Sequence, residues 1–263
     1  CLYELNGWPH FEWDHSRLSA KLATVRHIQG RLIGRMQGLG FPLQEEATLQ
    51  SLTEEIIKSS EIEGENLNRQ QVRSSIARRL GIKTGGMVAV PRHVDGVVEL
   101  MIDATQKFKE PLTQDRLFGW HSALFPNGRS GLYKIRVAHW RDDSNGPMQV
   151  ISGPFGKERV HFEAPAASKL PAEMKRFLNW FNQKNSEIDL VLRAAIAHLY
   201  FVTIHPFDDG NGRIARAVAE VALAKSENSS QRFYSMSSQI MLERKDYYNI
   251  LETTQKGTLD ITP

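Results

Sequence analysis

His205-Pro206-Phe207-Asp208-Asp209-Gly210-Asn211-Gly212-Arg213-Ile214-Ala215-Arg216 is the stretch on which the reading of this chain turns. A strongly apolar segment runs up to Ile204, with the spacing of a helix buried nearly all round. Pro206 disfavours the α conformation at the residue before it, so that helix should stop at His205. Gly210-Asn211-Gly212 then permits backbone conformations that other residues resist. A new helix follows, with Ala215, Val218, Ala219 and Ala222 on its apolar side. Helix, glycine turn, helix is the signature of a packed helical protein with a loop held at the ends of two core helices.

That loop is rich in chemistry. A glycine turn that opens a helix presents free N–H groups, and the helix dipole adds partial positive charge, so it is a ready anion site. Arg213 and Arg216 are three apart and share a face; two guanidinium forks beside an N–H cradle suit a polyphosphate. Asp209 suits Mg²⁺, which takes one or two carboxylates together with phosphate oxygens. His205 suits removal of a proton from an attacking hydroxyl at neutral pH. Phe207 reads as a core anchor, and Asp208 receives no role. Each residue alone is more often structural. The whole pattern H-P-F-x-[D/E]-G-N-G-R-x-x-R specifies nine positions, and at roughly 5% per residue a chance match is on the order of 10⁻⁹.

Working outward, Leu2–Trp13 reads as an irregular aromatic arm. Apolar residues spaced by three or four predict an amphipathic helix over Ser16–Met36, broken by Gly38–Pro42. Further helices are predicted over Glu45–Glu63, Asn68–Leu80, His93–Lys107, Thr113–Phe125, Leu170–Asn182, Asp189–Thr203, Gly212–Lys225 and Lys245–Gln255, with a joint at Thr84-Gly85-Gly86. Met148–Ser152 and Arg159–Glu163 are strand-like and flank Gly153-Pro154-Phe155-Gly156-Lys157-Glu158, which predicts a β-hairpin. Gly128–Gly146 is rich in turn residues. The expected class is mainly α with one hairpin.

Composition narrows the function. The 263 residues are 41% hydrophobic and 24% charged, ordinary for a globular chain and enough to bury a core. A net charge of +3 demands neither nucleic acid nor a membrane surface. Arg69, Arg73, Arg78, Arg79 and Lys83 cluster without interleaved aromatics and read as a solvated face. The apolar run Ala194–Ile204 is too short to span a bilayer. Cys1 is the only cysteine, which suits a reducing compartment. No basic flank followed by an apolar run marks a signal peptide at the start. A start without Met and an end at Pro263 read as a trimmed segment of a longer protein.

The motif resembles the signature of the Fic family at every specified position, including the final arginine. The resemblance implies a Fic-type helical bundle, residues 86–263, preceded by an N-terminal helical region, residues 1–85. It implies a protein adenylyltransferase that moves AMP from ATP to a Ser, Thr or Tyr hydroxyl of a target protein. His205 would be the general base and Asp209 the Mg²⁺ ligand. Gly210, Asn211 and Gly212 would form the anion hole, with Arg213 and Arg216 on the distal phosphates. The hairpin at 148–163 fits the family's flap, on which a target docks by strand pairing. Tyr247 and Tyr248 resemble the family helix that encloses the nucleotide, with Tyr248 placed among the ATP-binding residues.

The predicted helix ending at Glu63 carries Leu52, Ile56, Ser59 and Glu63 at spacings of four, three and four. A carboxylate on that inward side needs a cation or a raised pKa. Ser59, Glu63 and Gly64 resemble the family's inhibitory pattern [S/T]-x-x-x-E-[G/N], which implies that Glu63 bridges to Arg216 and blocks productive seating of ATP. Lys58, Glu61 and Glu65 read as solvated. Family likeness also implies a bacterial cytoplasmic enzyme; family members are often dimers, so a homodimer is one option, but the sequence offers no clear seam and leaves the oligomeric state open. Alternatives are removal of AMP from modified targets, another Fic-type phosphate-group transfer, or a non-catalytic regulator that binds DNA or a partner.

Overall fold

The computed structural model describes residues 1–154, 156–184 and 187–262; Phe155, Asn185, Ser186 and Pro263 lie outside the described residues, and with them Phe155 of the expected hairpin loop. Among the described residues there are ten α-helices: α1 (His15–Gln37), α2 (Phe41–Ile62), α3 (Arg69–Leu80), α4 (Arg92–Gln106), α5 (Gln114–Leu124), α6 (Leu170–Asn182), α7 (Leu190–Ile204), α8 (Asn211–Glu227), α9 (Met236–Leu242) and α10 (Arg244–Lys256). Two small antiparallel hairpins lie between α5 and α6: β1 (Arg129–Ser130) with β2 (Tyr133–Lys134), and β3 (Gln149–Ser152) with β4 (Arg159–Glu163). The mainly α class and the 148–163 hairpin stand as expected.

Local chemistry sets the helix ends. Asp14, Asn68, Thr113 and Asp189 cap α1, α3, α5 and α7, each accepting backbone N–H bonds of the first turn. Pro42 sits in the first turn of α2, where its missing N–H costs nothing, so that helix begins four residues earlier than Glu45. It ends at Ile62, leaving Glu63 as its cap residue.

The core is built on α7 packed along α8. Ala197, Phe201 and Ile204 of α7 and Ile214, Ala217, Val218 and Val221 of α8 are fully or almost fully buried. Leu49, Leu52 and Ile56 of α2, Val98 of α4 and Leu117 of α5 join the same cluster, so it is continuous across residues 85 and 86. The N-terminal arm is irregular, as expected, apart from a short 3-10 turn at Leu2–Glu4 that buries Leu2.

Several features add to the sequence reading. Helix α1 buries none of its residues; Val25 and Ile28 of its apolar side are exposed and face a cleft rather than the core. The β1–β2 hairpin and α9 were not expected, because a two-residue strand and a seven-residue helix are too short to show a period. Helix α9 is held from outside: buried Glu55 of α2 accepts from the Ser235 hydroxyl and from the Ser237 backbone N–H and hydroxyl. Among the basic residues of α3, Arg69 pairs with Glu54, Arg73 with Glu46, and Arg79 with Asp95 and Glu99, so much of that charge is already neutralised. Among the described residues no helix is long and apolar enough to cross a membrane.

Candidate active site

The loop between α7 and α8 is pinned from several sides. His205 caps α7 in the left-handed region at φ 52°, a conformation that costs a residue with a Cβ on the order of 1–2 kcal/mol. Buried Arg141 holds it there. Its Nε donates to the His205 carbonyl at 2.8 Å, its guanidinium donates to the Pro165 carbonyl, and its backbone N–H donates to the Pro206 carbonyl at 2.9 Å. The side chain of Asn211 bridges back across the loop, accepting from the Phe207 N–H at 3.0 Å and donating to the Phe207 carbonyl at 2.8 Å. Phe207 is fully buried and stacks on His121 with centroids 4.2 Å apart. His121 accepts the Ala138 N–H at Nδ1, and so donates from Nε2 to the Asp209 carbonyl at 3.2 Å.

His205 Nδ1 lies 3.2 Å from the Val202 carbonyl. A carbonyl only accepts, so Nδ1 carries the proton and Nε2 keeps its lone pair. Burial pushes the imidazole down to about 4, and the Arg141 charge acts in the same direction, while the Val202 bond opposes it. A neutral ring with a free Nε2 is competent to take a proton.

Gly210 opens α8 at φ +80°, the conformation for which glycine is suited. The expected anion cradle is occupied by the chain itself. Glu63 Oε1 is 2.8 Å from Arg216 Nη2, and a Cβ built on Gly212 would fall 2.1 Å from that same oxygen. The Glu63 carboxylate thus rests on the first turn of α8. Arg216 is buried and also donates to the Ser59 hydroxyl at 2.8 Å and the Ser59 carbonyl at 2.7 Å. Gly64, at φ +82°, turns the chain so that the next carboxylate reaches the other arginine: Arg213 Nη1 is 2.6 Å from Glu65 Oε2. Glu65 is therefore not a merely solvated residue, and Lys58 and Glu61 pair with each other at 2.6 Å.

A pocket of about 900 Å³ gathers these elements. Its walls include Glu63, His205, Asp209, Asn211 and Gly212, strands β3 and β4, and Tyr247, Tyr248 and Asn249 of α10. The α10 tyrosines divide in role: the Tyr247 hydroxyl shares a hydrogen bond with Nε2 of buried His198 at 3.0 Å, while Tyr248 remains 40% exposed on the wall.

Among the described residues no group of three His, Cys, Asp or Glu side chains forms a metal cage. Asp209 offers a single carboxylate at the pocket wall, one oxygen accepting the Gly210 N–H at 2.5 Å and the other the Ser130 hydroxyl. One positioned carboxylate fits Mg²⁺ that arrives with phosphate oxygens and water. Asp208 also acquires a part: its carboxylate accepts the Arg136 N–H at 2.8 Å and ties the β1–β2 segment to the loop. Arg141, His121, Ser130 and Glu65 escaped sequence reading because each is far in sequence from the motif it supports.

A family model described as the Fic/DOC family matches residues 111–223, which include the whole loop and most of α8. The chain carries a Fic/DOC-family domain. Residues 2–82 match a second model, a domain of unknown function, DUF4172. The protein adenylyltransferase Fic of Drosophila willistoni is 32% identical over 118 residues, 43% of this chain and 22% of that protein. That of Drosophila grimshawi is 34% identical over 118 residues, 43% of this chain and 23% of its own length. The chain thus matches under a quarter of the length of these relatives. The fold of the Fic domain and its surroundings is shared with a Fic family protein from Desulfovibrio desulfuricans G20, with TM-score 0.64 and 24% identity over 92% of this chain and 68% of that one. A Fic domain containing signaling protein from Bacteroides thetaiotaomicron aligns with TM-score 0.59 and 20% identity, over 86% of this chain and 80% of that one.

Proposed function

We propose that this chain is a protein adenylyltransferase that moves AMP from ATP to a hydroxyl of a target protein, and that its own carboxylates hold it shut. The observation that carries the reading is the neutral His205 with a free Nε2 in the same pocket as the α8 N-terminus and the β3–β4 hairpin. The names of the partial-length relatives point the same way.

In this reading the N–H groups of the α8 start, with Gly210, Asn211 and Gly212, cradle phosphate, and Arg213 and Arg216 clamp its distal oxygens. Tyr248 walls the nucleoside. Asp209 would hold Mg²⁺, which neutralises phosphate charge when bound. A target segment pairs with the exposed edge of β3, as β-augmentation places a hydroxyl by backbone bonds. His205 Nε2 accepts the hydroxyl proton; the oxygen attacks the α-phosphorus, and the bond from that phosphorus to the oxygen of the β-phosphate breaks. AMP ends on the target and pyrophosphate leaves.

The brake has two contacts. Glu63 occupies Arg216 and the Gly212 end of the cradle, and Glu65 occupies Arg213. A triphosphate must displace both to seat fully. The test of reaction type is ATP labelled at either the α- or the γ-phosphate, given with Mg²⁺ to the Glu63→Gly variant in a cell lysate. Protein-bound α-label supports AMP transfer; γ-label without α-label means phosphoryl transfer and overturns it.

A further inference from the structure

Away from the His205 loop, the wall of the same pocket holds a second hydroxyl with its own base. Ser152 ends β3, His161 lies in β4 and Glu252 in α10, and all three line the pocket. Ser152 Oγ is 2.5 Å from His161 Nε2, and His161 Nδ1 is 2.6 Å from Glu252 Oε2. A carboxylate accepts, so Nδ1 carries the proton, Nε2 is the acceptor and the Ser152 hydroxyl donates to it. Nucleophile bonded to base, and base bonded to an orienting carboxylate, is the arrangement that activates a serine.

The backbone is shaped around this relay. The β3–β4 register runs Val150 with Phe162 and then Ile151 with Val160, so His161 is the extra residue of a β-bulge. Bulges re-aim a side chain out of the regular pleat. Gly153 follows Ser152 at φ +105°, and a Cβ there would lie 2.9 Å from the Lys157 carbonyl oxygen, which fixes a tight turn directly after the serine. Lys256 and Arg159 hold Glu252 at 2.8 Å each, and the bonds from Lys256, His161 and Arg159, in that order, keep its carboxyl down at about 2. Fastening the hairpin to α10 needs only the Arg159–Glu252 and His161–Glu252 contacts. The exposed Ser152 hydroxyl on the far nitrogen adds nothing to that fastening.

We propose that Ser152 is a nucleotidyl acceptor within the chain, activated by His161 and Glu252, and is modified by the nucleoside triphosphate bound in the shared pocket. This rests on the AMP-transfer reading above. The Ser152 oxygen bonds to the α-phosphorus, the bond from that phosphorus to the β-phosphate oxygen breaks, pyrophosphate leaves, and the hydroxyl proton passes to His161 Nε2. The imidazolium so formed is held by Glu252.

The test uses the Glu63→Gly chain with Mg²⁺ and ATP labelled at the α-phosphate, alone and in a cell lysate, followed by peptide mass mapping. AMP is expected on the peptide containing Ser152, at a rate independent of chain concentration. That label should persist when His205→Ala is added. It should fall on the order of 10²-fold in His161→Gln and markedly in Glu252→Gln, the size expected from loss of a general base and its orienter. Circular dichroism of each variant checks that it folds. An unmodified Ser152 in a preparation that labels lysate proteins overturns this proposal and leaves the AMP-transfer reading standing. Ser152 label that survives His161→Gln, or is lost in His205→Ala, also overturns it. No label on the chain or on any lysate protein overturns both.

Discussion

Glu63 and Arg216 meet at 2.8 Å, with the guanidinium buried and the carboxylate lying over the start of α8. Two residues 153 positions apart thus put a carboxylate at the place where the proposed reading seats a phosphate. The adjoining pair, Glu65 with Arg213 at 2.6 Å, repeats the arrangement on the other arginine. Gly64 between the two acids makes this possible by taking the left-handed conformation.

Removing one carboxylate should release part of the brake. Glu63→Gly is expected to raise AMP transfer by tenfold or more, since about 1.4 kcal/mol of relieved competition is worth that factor. Glu65→Ala should raise ATP affinity by a smaller factor, because that carboxylate is more exposed and its pairing is screened. The double variant should exceed Glu63→Gly. Isothermal titration with ATP separates the two contributions; equal affinities for wild type and Glu65→Ala would remove Glu65 from the brake.

On the proposed reading, His205→Ala should abolish transfer to target proteins while leaving ATP binding intact, because that reading gives the binding to the cradle and the arginines. With the imidazole pushed down to about 4, the base stays neutral across the physiological range. Glu63 raises this imidazole, so transfer by Glu63→Gly should lose activity through this group only at about pH 4 or below. An acid limb centred near the ordinary histidine value of about 6.5 would contradict the placement of His205.

Arg141 is a positioning residue. Arg141→Ala strips donors from the carbonyls of His205 and Pro165, each loss costing about 1–3 kcal/mol if the acceptor stays buried. The maximal rate should drop with little change in ATP affinity, as the strained His205 conformation relaxes. Thermal melts and single-turnover rates together check this; a variant with weakened ATP binding and an unchanged maximal rate would not fit.

Buried histidines set the acid stability. Burial lowers His121 to about 4 and His198 to about 3. Below about pH 6.5 the unfolded chain takes up protons that the folded chain refuses. Each imidazole should then cost about 1.4 kcal/mol of stability per pH unit until its folded value is reached. Denaturant midpoints between pH 7 and 4.5 should fall accordingly, and His198→Gln should flatten the slope.

Much of this was legible in the sequence because the decisive residues are adjacent. From Pro206 and the glycine pair follow a helix end, a turn and a helix start, and α7 ends and α8 begins around those residues. The strand-like runs at 148–152 and 159–163, set either side of a loop rich in Gly and Pro, likewise mark the hairpin. What escaped depends on contacts between distant segments. Arg141 lies in a turn-rich stretch without periodicity, and its importance comes from the three carbonyls it meets. Glu65 reads as an ordinary surface acid until Gly64 turns it onto Arg213. The apolar side of α1 predicts burial, yet its contacts with the body include polar ones, from Arg26 to Asp189 and Gln29 to Glu227, and its apolar residues stay partly open.

The measurement that bears most directly on the account compares wild type, Glu63→Gly and Glu63→Gly/His205→Ala for transfer of α-label from ATP to lysate proteins, at saturating ATP and Mg²⁺. The account predicts weak labelling of lysate proteins by wild type, strong labelling by Glu63→Gly, and none by the double variant. Equal labelling by wild type and Glu63→Gly would contradict the claim that the Glu63–Arg216 contact holds the site shut, and labelling of lysate proteins that survives His205→Ala would contradict the assignment of the base.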